Sequence, residues 1–144
     1  GVYHTDKNEE DYKQNAEIFC YHYLKKNTQF SQIWKIYDYS KDCPVDALAE
    51  FCKNSLELTD LNHNAIPEIW TIYRIACRGD VSPSELKLIM YEGQKKYKLQ
   101  GNSSIELEGI EKYGGEINNI VNFNEHQLFL EFAKKKWAKN VREM

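Results

Sequence analysis

Glu68-Ile69-Trp70-Thr71-Ile72-Tyr73-Arg74-Ile75-Ala76 is the stretch whose reading decides the fold. Ile69, Thr71, Tyr73 and Ile75 alternate with Trp70 and Ile72, which is the period of a β-strand. β-Branched and aromatic residues dominate it, and they suit a pleated surface. Both faces carry bulk, so the pattern predicts a strand at the centre of a sheet.

Working outward, the flanking segments supply its neighbours. Residues 47–51 and 55–59 read as strand segments, one strand with a bulge around Cys52-Lys53-Asn54. Residues 16–24 alternate Ile18, Cys20, His22 and Leu24 with Phe19, Tyr21 and Tyr23; residues 32–39 alternate Ile33, Tyr37 and Tyr39 with Trp34 and Ile36. Lys25-Lys26-Asn27-Thr28 between them is a turn, so the two runs predict an antiparallel hairpin. After the central strand, Ser82-Pro83-Ser84-Glu85 carries the signature of a helix start, Ser82 as cap and Pro83 at the first helical position. The alternation of residues 86–91, the Glu92-Gly93 turn and the return at 96–99 contradict a long helix, so one short turn and then a hairpin are expected. At the end, Asn124 as cap, Gln127, and then Phe129, Phe132, Ala133, Trp137 and Val141 fall at helical spacing. The fold class expected is α+β: an antiparallel β-sheet of hairpins with a C-terminal amphipathic helix packed on it. Residues 1–15 are expected as a flexible N-terminal segment, and 16–144 as a single α+β domain.

Composition agrees with one globular domain. The chain has 144 residues, 42% of them hydrophobic and 28% charged, enough to bury a core without staples. Its net charge of −3 lacks the basic balance that displaces counterions from nucleic acid, so no nucleic-acid partner is expected. Lys134, Lys135 and Lys136 form the densest basic cluster, and a solvated helix face explains them. No apolar run approaches the ~18 residues of a membrane span. The chain opens Gly1-Val2 and continues through a hydrophilic run, which leaves room for a cleaved export signal upstream.

Four cysteines are present, Cys20, Cys43, Cys52 and Cys77, with no Cys-x-x-Cys among them. Zinc-ribbon and thioredoxin-like chemistry is thereby disfavoured. Cys43 and Cys77 both stand at element ends beside turn residues, where a bridge is geometrically easier; reduced thiols are the alternative reading. Cys20 lies in an alternating run and reads as a buried free thiol.

The most chemical segment is Asp60-Leu61-Asn62-His63-Asn64-Ala65-Ile66-Pro67-Glu68. Asp60, Asn62, Asn64, the Ile66 carbonyl and Glu68 occupy alternating positions, the pattern by which a loop surrounds Ca²⁺ with oxygen. Two departures count against a tight site: Ala65 stands where glycine allows the bend, and Thr71 stands where a bidentate glutamate would close the cage. Two readings remain, a weak Ca²⁺ site or an Asx-rich hairpin loop with no cofactor, whose side chains satisfy their own backbone.

No catalytic set emerges. His4, His22, His63 and His126 have no motif neighbours, Gly114-Gly115 is a turn rather than a phosphate loop, and Glu106 and Glu108 are ordinary surface carboxylates. Arg78-Gly79-Asp80 reads as a turn rather than an adhesive tripeptide. The tryptophans and tyrosines alternate within strands, so core packing is expected of them before sugar stacking.

Trp34-Lys35-Ile36-Tyr37-Asp38, Asp42-Cys43-Pro44, the loop 59–64, Cys77-Arg78-Gly79-Asp80-Val81-Ser82-Pro83-Ser84, Lys87-Leu88-Ile89-Met90-Tyr91-Glu92-Gly93 and Tyr113-Gly114-Gly115-Glu116 together resemble a bacterial family. Its members, mostly from Bacteroidetes and other Gram-negative bacteria, are labelled surface polysaccharide biosynthesis proteins. The resemblance runs from about Ile18 onward, and Gly-Asp-Val-Ser-Pro is its most specific part. It implies an exported chain, in the periplasm, in the cell envelope or secreted, and supplies no catalytic residues to carry over. The expected role is an accessory or binding domain with a glycan or an envelope protein as partner; a carbohydrate-active enzyme and a toxin-immunity or inhibitor protein are the alternatives.

Overall fold

The computed structural model describes residues 2–7 and 12–143. Its centre is β6 (Glu68–Arg78), the strand that carries bulk on both faces. β7 (Glu85–Glu92) pairs with it along its length, and β8 (Lys95–Asn102) returns antiparallel from the Gly93 turn. On the other side of β6, β4 (Asp46–Phe51) covers its second half and β5 (Glu57–Thr59) its first. The break at Cys52-Lys53-Asn54 is therefore an interruption of one edge, held by Ser55 Oγ donating to the Ile72 carbonyl at 2.8 Å and accepting the Ile72 N–H at 2.7 Å. β11 (Ile117–Val121) completes a six-stranded antiparallel sheet at the β8 edge. Gly101 sits where β11 crosses: a Cβ there would lie 1.8 Å from the Glu116 carbonyl oxygen, so only glycine fits. A two-stranded ribbon of β9 (Ser104–Ile105) and β10 (Tyr113–Gly114) closes that corner.

A second sheet lies across the first. β2 (Tyr12–Lys26) and β3 (Gln29–Cys43) form a long hairpin about the Asn27-Thr28 turn, with Asn27 at positive φ, and β1 (Val2–Lys7) pairs with the first half of β2. The hairpin predicted from alternation is thus real and longer than the apolar pattern suggested. The described residues of the expected flexible segment, 2–7 and 12–15, stand in these paired strands.

α1 (Gln127–Asn140) packs on the opposite face of the six-stranded sheet. Two cores result. Between sheet and helix, Trp70, Ile72, Leu86, Leu88, Met90 and Leu99 meet Phe129, Ala133 and Trp137. Between the two sheets, Ala16, Ile18, Trp34 and Ile36 meet Ala47, Ala49, Tyr73, Ile75, Ile89 and Tyr91, with the Trp34 and Tyr91 rings parallel at 4.5 Å. The two-faced alternation of β6 is explained by this position between layers. The architecture is α+β, with antiparallel sheets and a C-terminal helix.

Local signals were less reliable at the ends. Asn124 does not cap α1: it lies in a single 3-10 turn (Phe123–Glu125), and His126 stands at the N-cap without a side-chain bond. Its imidazole instead stacks on Phe129 at 3.8 Å. Ser82 starts no helical turn; its hydroxyl donates to Asp80 at 2.9 Å and the chain runs extended into β7.

Candidate functional site

The polar loop between β5 and β6 is organised by its own side chains. Asp60 accepts the Asn64 N–H on Oδ1 (3.2 Å) and the Ala65 N–H on Oδ2 (3.1 Å), while Asn64 Oδ1 accepts the Ile66 N–H at 2.9 Å. The amide nitrogens of Asn62 and Asn64 both donate to Glu92 Oε2, at 2.9 and 3.2 Å. Glu68 stands at the start of β6, fully buried, where Oε1 accepts Leu61 N–H (2.6 Å) and the Thr59 hydroxyl (2.9 Å). Of the five candidate ligands, the structure brings Asp60, Asn62 and Asn64 together and spends their oxygens on loop N–H groups. These bonds are those of an Asx-rich loop, while the second oxygen of Glu68, Oε2, is buried without a hydrogen-bond partner. Ala65 adopts φ 65°, the left-handed conformation that glycine would take at lower cost.

Cys43 and Cys77 are joined, their Cα atoms 5.7 Å apart. The bridge ties the end of β3 to β6 and so clamps one sheet to the other at the edge of their shared core. Cys52 is a buried thiol and Cys20 a half-buried one, and burial pushes both pKa values up.

The histidines stay dispersed. His22 packs on Trp34, His126 on Phe129, and His63 sits in the polar loop. Among the described residues no group of three His, Cys, Asp or Glu side chains is arranged to hold a metal. Ser84 and Ser103 do meet a carboxylate, because Glu143 Oε2 accepts both hydroxyls, at 2.7 and 2.5 Å. Both serines are buried, however, and Glu143 is also gripped by the Arg78 guanidinium, so the cluster anchors the chain after α1.

The outward face of the β2–β3 hairpin is different in kind. Strand alternation that turns Ala16 and Ile18 inward turns Phe19, Tyr21 and Tyr23 outward, and register places Tyr37 opposite Phe19 and Tyr39 opposite Glu17. These five aromatic residues are between 38% and 50% exposed, so each presents a substantial part of its ring to solvent. Their rings form a continuous row: Tyr21–Tyr23 at 5.8 Å, Phe19–Tyr21 at 6.4 Å, Phe19–Tyr37 at 5.0 Å and Tyr37–Tyr39 at 5.5 Å. Lysines sit over them, Lys35 above Tyr21 and Tyr37, Lys41 above Tyr37 and Tyr39, within cation–π range. Tyr37 donates its hydroxyl to Glu17 at 3.1 Å, and Glu17 pairs with Lys41. The aromatic residues thus form one contiguous exposed patch with polar tips, larger than singly scattered surface hydrophobics.

Core packing was expected of these tyrosines. It holds for Trp34, Trp70, Tyr73, Tyr91 and Tyr97, which are buried, and fails for Tyr21, Tyr23, Tyr37 and Tyr39. The available signal was chemical rather than periodic: in β2 the inward positions 16 and 18 are Ala and Ile, while the outward positions 19, 21 and 23 are all aromatic, with Tyr21 facing Lys35 across the ladder.

No protein-family model matches the chain, and neither curated proteins nor solved structures give a match.

Proposed function

We propose that this chain is a glycan-binding accessory domain of the bacterial envelope, and that the outer face of β2–β3 is its working surface. The observation that carries this reading is the exposed row of Phe19, Tyr21, Tyr23, Tyr37 and Tyr39 on a sheet whose other face packs Ala16, Ile18, Trp34 and Ile36 into a core. Aromatic rings in a row offer apolar faces to the C–H faces of successive sugars, and phenol hydroxyls and lysines offer hydrogen bonds to their substituents. The Cys43–Cys77 bridge supports an oxidising compartment, in keeping with export. The resemblance to surface polysaccharide biosynthesis proteins points to the same ligand class.

The test is calorimetric titration with oligosaccharides cut from bacterial surface polysaccharide, comparing the wild type with Tyr21→Ala/Tyr37→Ala. Both side chains are exposed, so the double variant should melt near the wild type and lose at least tenfold in affinity. Equal affinity in the two proteins would remove the aromatic row from the function.

A further inference from the structure

At one rim of the aromatic face the two sheets part to leave a cleft of about 230 Å³. Its walls carry Lys35 from β3, Lys87 from β7, and Lys96 and Lys98 from β8, against a single carboxylate, Asp38. The strand period puts Lys96 and Lys98 on the same face of β8, and register sets Lys98 opposite Ile89, next but one to Lys87. Asp38 is already spent: Oδ2 accepts Lys87 Nζ at 2.6 Å and the Tyr73 hydroxyl at 2.8 Å. Lys87 also meets Glu85 at 3.4 Å. Among the described residues, Lys35, Lys96 and Lys98 have no carboxylate within salt-bridge distance.

Like charges gathered this way repel. Burial lowers the Lys96 pKa, and the charges of Lys98 and Lys87 lower it further, with Asp38 only partly opposing them. Lys96 is thus the group whose charge an anion would favour; at Lys87 burial works the same way, but the Asp38 hydrogen bond and charge, helped by Glu85, outweigh it and raise the pKa. Lys35 belongs to both places, lying over the Tyr21 and Tyr37 rings and lining the cleft, so the two surfaces are continuous.

We infer that the cleft formed by Lys35, Lys87, Lys96 and Lys98 is an anion subsite that receives an acidic substituent, carboxylate, phosphate or sulfate, of a glycan lying along the aromatic row. This rests on the aromatic face being the glycan surface. Asp38 and Tyr73 hold Lys87 in place, and the other three lysines take the charge. A glycan fits better than a free anion because the lysine shared with the aromatic row makes sugar and acid recognition one event.

The test uses dextran sulfate oligomers, neutral dextran oligomers of the same length, and inorganic phosphate. Each is titrated into the wild type, Lys96→Ala/Lys98→Ala, Tyr21→Ala/Tyr37→Ala, and Lys134→Ala/Lys135→Ala on α1 as a charge-matched control. The expected result is at least tenfold preference of the wild type for the sulfated oligomer. That preference should vanish in the Lys96/Lys98 variant and change less than twofold in the α1 control. Phosphate should shift the amide signals around Lys96 and Lys98 and bind more weakly than the sulfated oligomer. An equal loss in the α1 control, or an unchanged preference in the Lys96/Lys98 variant, overturns the subsite. So does phosphate binding as tightly as the sulfated oligomer, which would make the cleft a free-anion site. If instead the Tyr21/Tyr37 variant keeps full affinity for both oligomers, the aromatic reading fails, and the phosphate shifts judge the cleft by themselves.

Discussion

At the scale of single residues, Glu143 is a carboxylate with a strong pH dependence built into its surroundings. Burial by itself would raise its carboxyl. Hydrogen bonds from Arg78, Ser103 and Ser84 and the Arg78 charge outweigh that and bring the pKa down to about 2. The folded-state value lies below the unfolded one, so the stabilisation is complete above about pH 4.5 and is lost as pH falls toward 2. With the side chain only 10% exposed, the shift corresponds to about 3 kcal/mol. Glu143→Gln should therefore lower stability by 2–3 kcal/mol at neutral pH in urea titrations, with the gap closing near pH 2. A constant gap across that range would assign the loss to packing instead. Ala65 offers the opposite experiment. Its φ of 65° is costly for any residue with a Cβ, so Ala65→Gly should stabilise by up to about 1 kcal/mol. That cost was legible from the spacing of the loop. The fate of Asp60 was not: whether a carboxylate turns outward to an ion or inward to N–H groups depends on the backbone path, and here it turned inward. Millimolar Ca²⁺ is accordingly expected to move the melting temperature by less than a degree, whereas a specific site well above its Kd would add several.

At the scale of elements, alternation identified the hairpins because burial on one face repeats every second residue. It located β6 at the centre and the β7–β8 return, and it found the β4–β5 edge, expected as one bulged strand and observed as two. It failed where a local signature competes with tertiary structure: Asn124 and Ser82 have capping chemistry, yet neither caps a helix. Alternation is also silent about which face is covered. β2 carries apolar bulk on both sides, and only the second layer decides that Ile18 is core while Tyr21 is surface. The inter-sheet bridge is the element-scale device that fixes that layer. Cys43 and Cys77 are 34 residues apart, and chain entropy attributes about 4 kcal/mol to closing such a loop. Reduction should lower the melting temperature by about 10 °C in a reductant-matched thermal scan. A shift under 2 °C would mean that the sheet-to-sheet core holds without the bridge.

At the scale of the whole molecule, the layers divide the labour. The helix covers one face of the six-stranded sheet, the β2–β3 sheet covers the other, and the outer surface of that second sheet is left open. No described helix is long and apolar enough to cross a membrane. The fold class was readable in the sequence because each element's period survives into three dimensions. The candidate site was not, because residues 19–23 and 35–39 combine only when two strands pair in one register, and Lys87, Lys96 and Lys98 join them from a different sheet. The most direct measurement is a two-dimensional amide NMR titration of the domain with an acidic surface-polysaccharide oligomer. The expected result is a contiguous set of shifted signals over residues 19–23, 35–39 and 96–98. Shifts centred on α1 or the polar loop, or none at millimolar ligand, would contradict it.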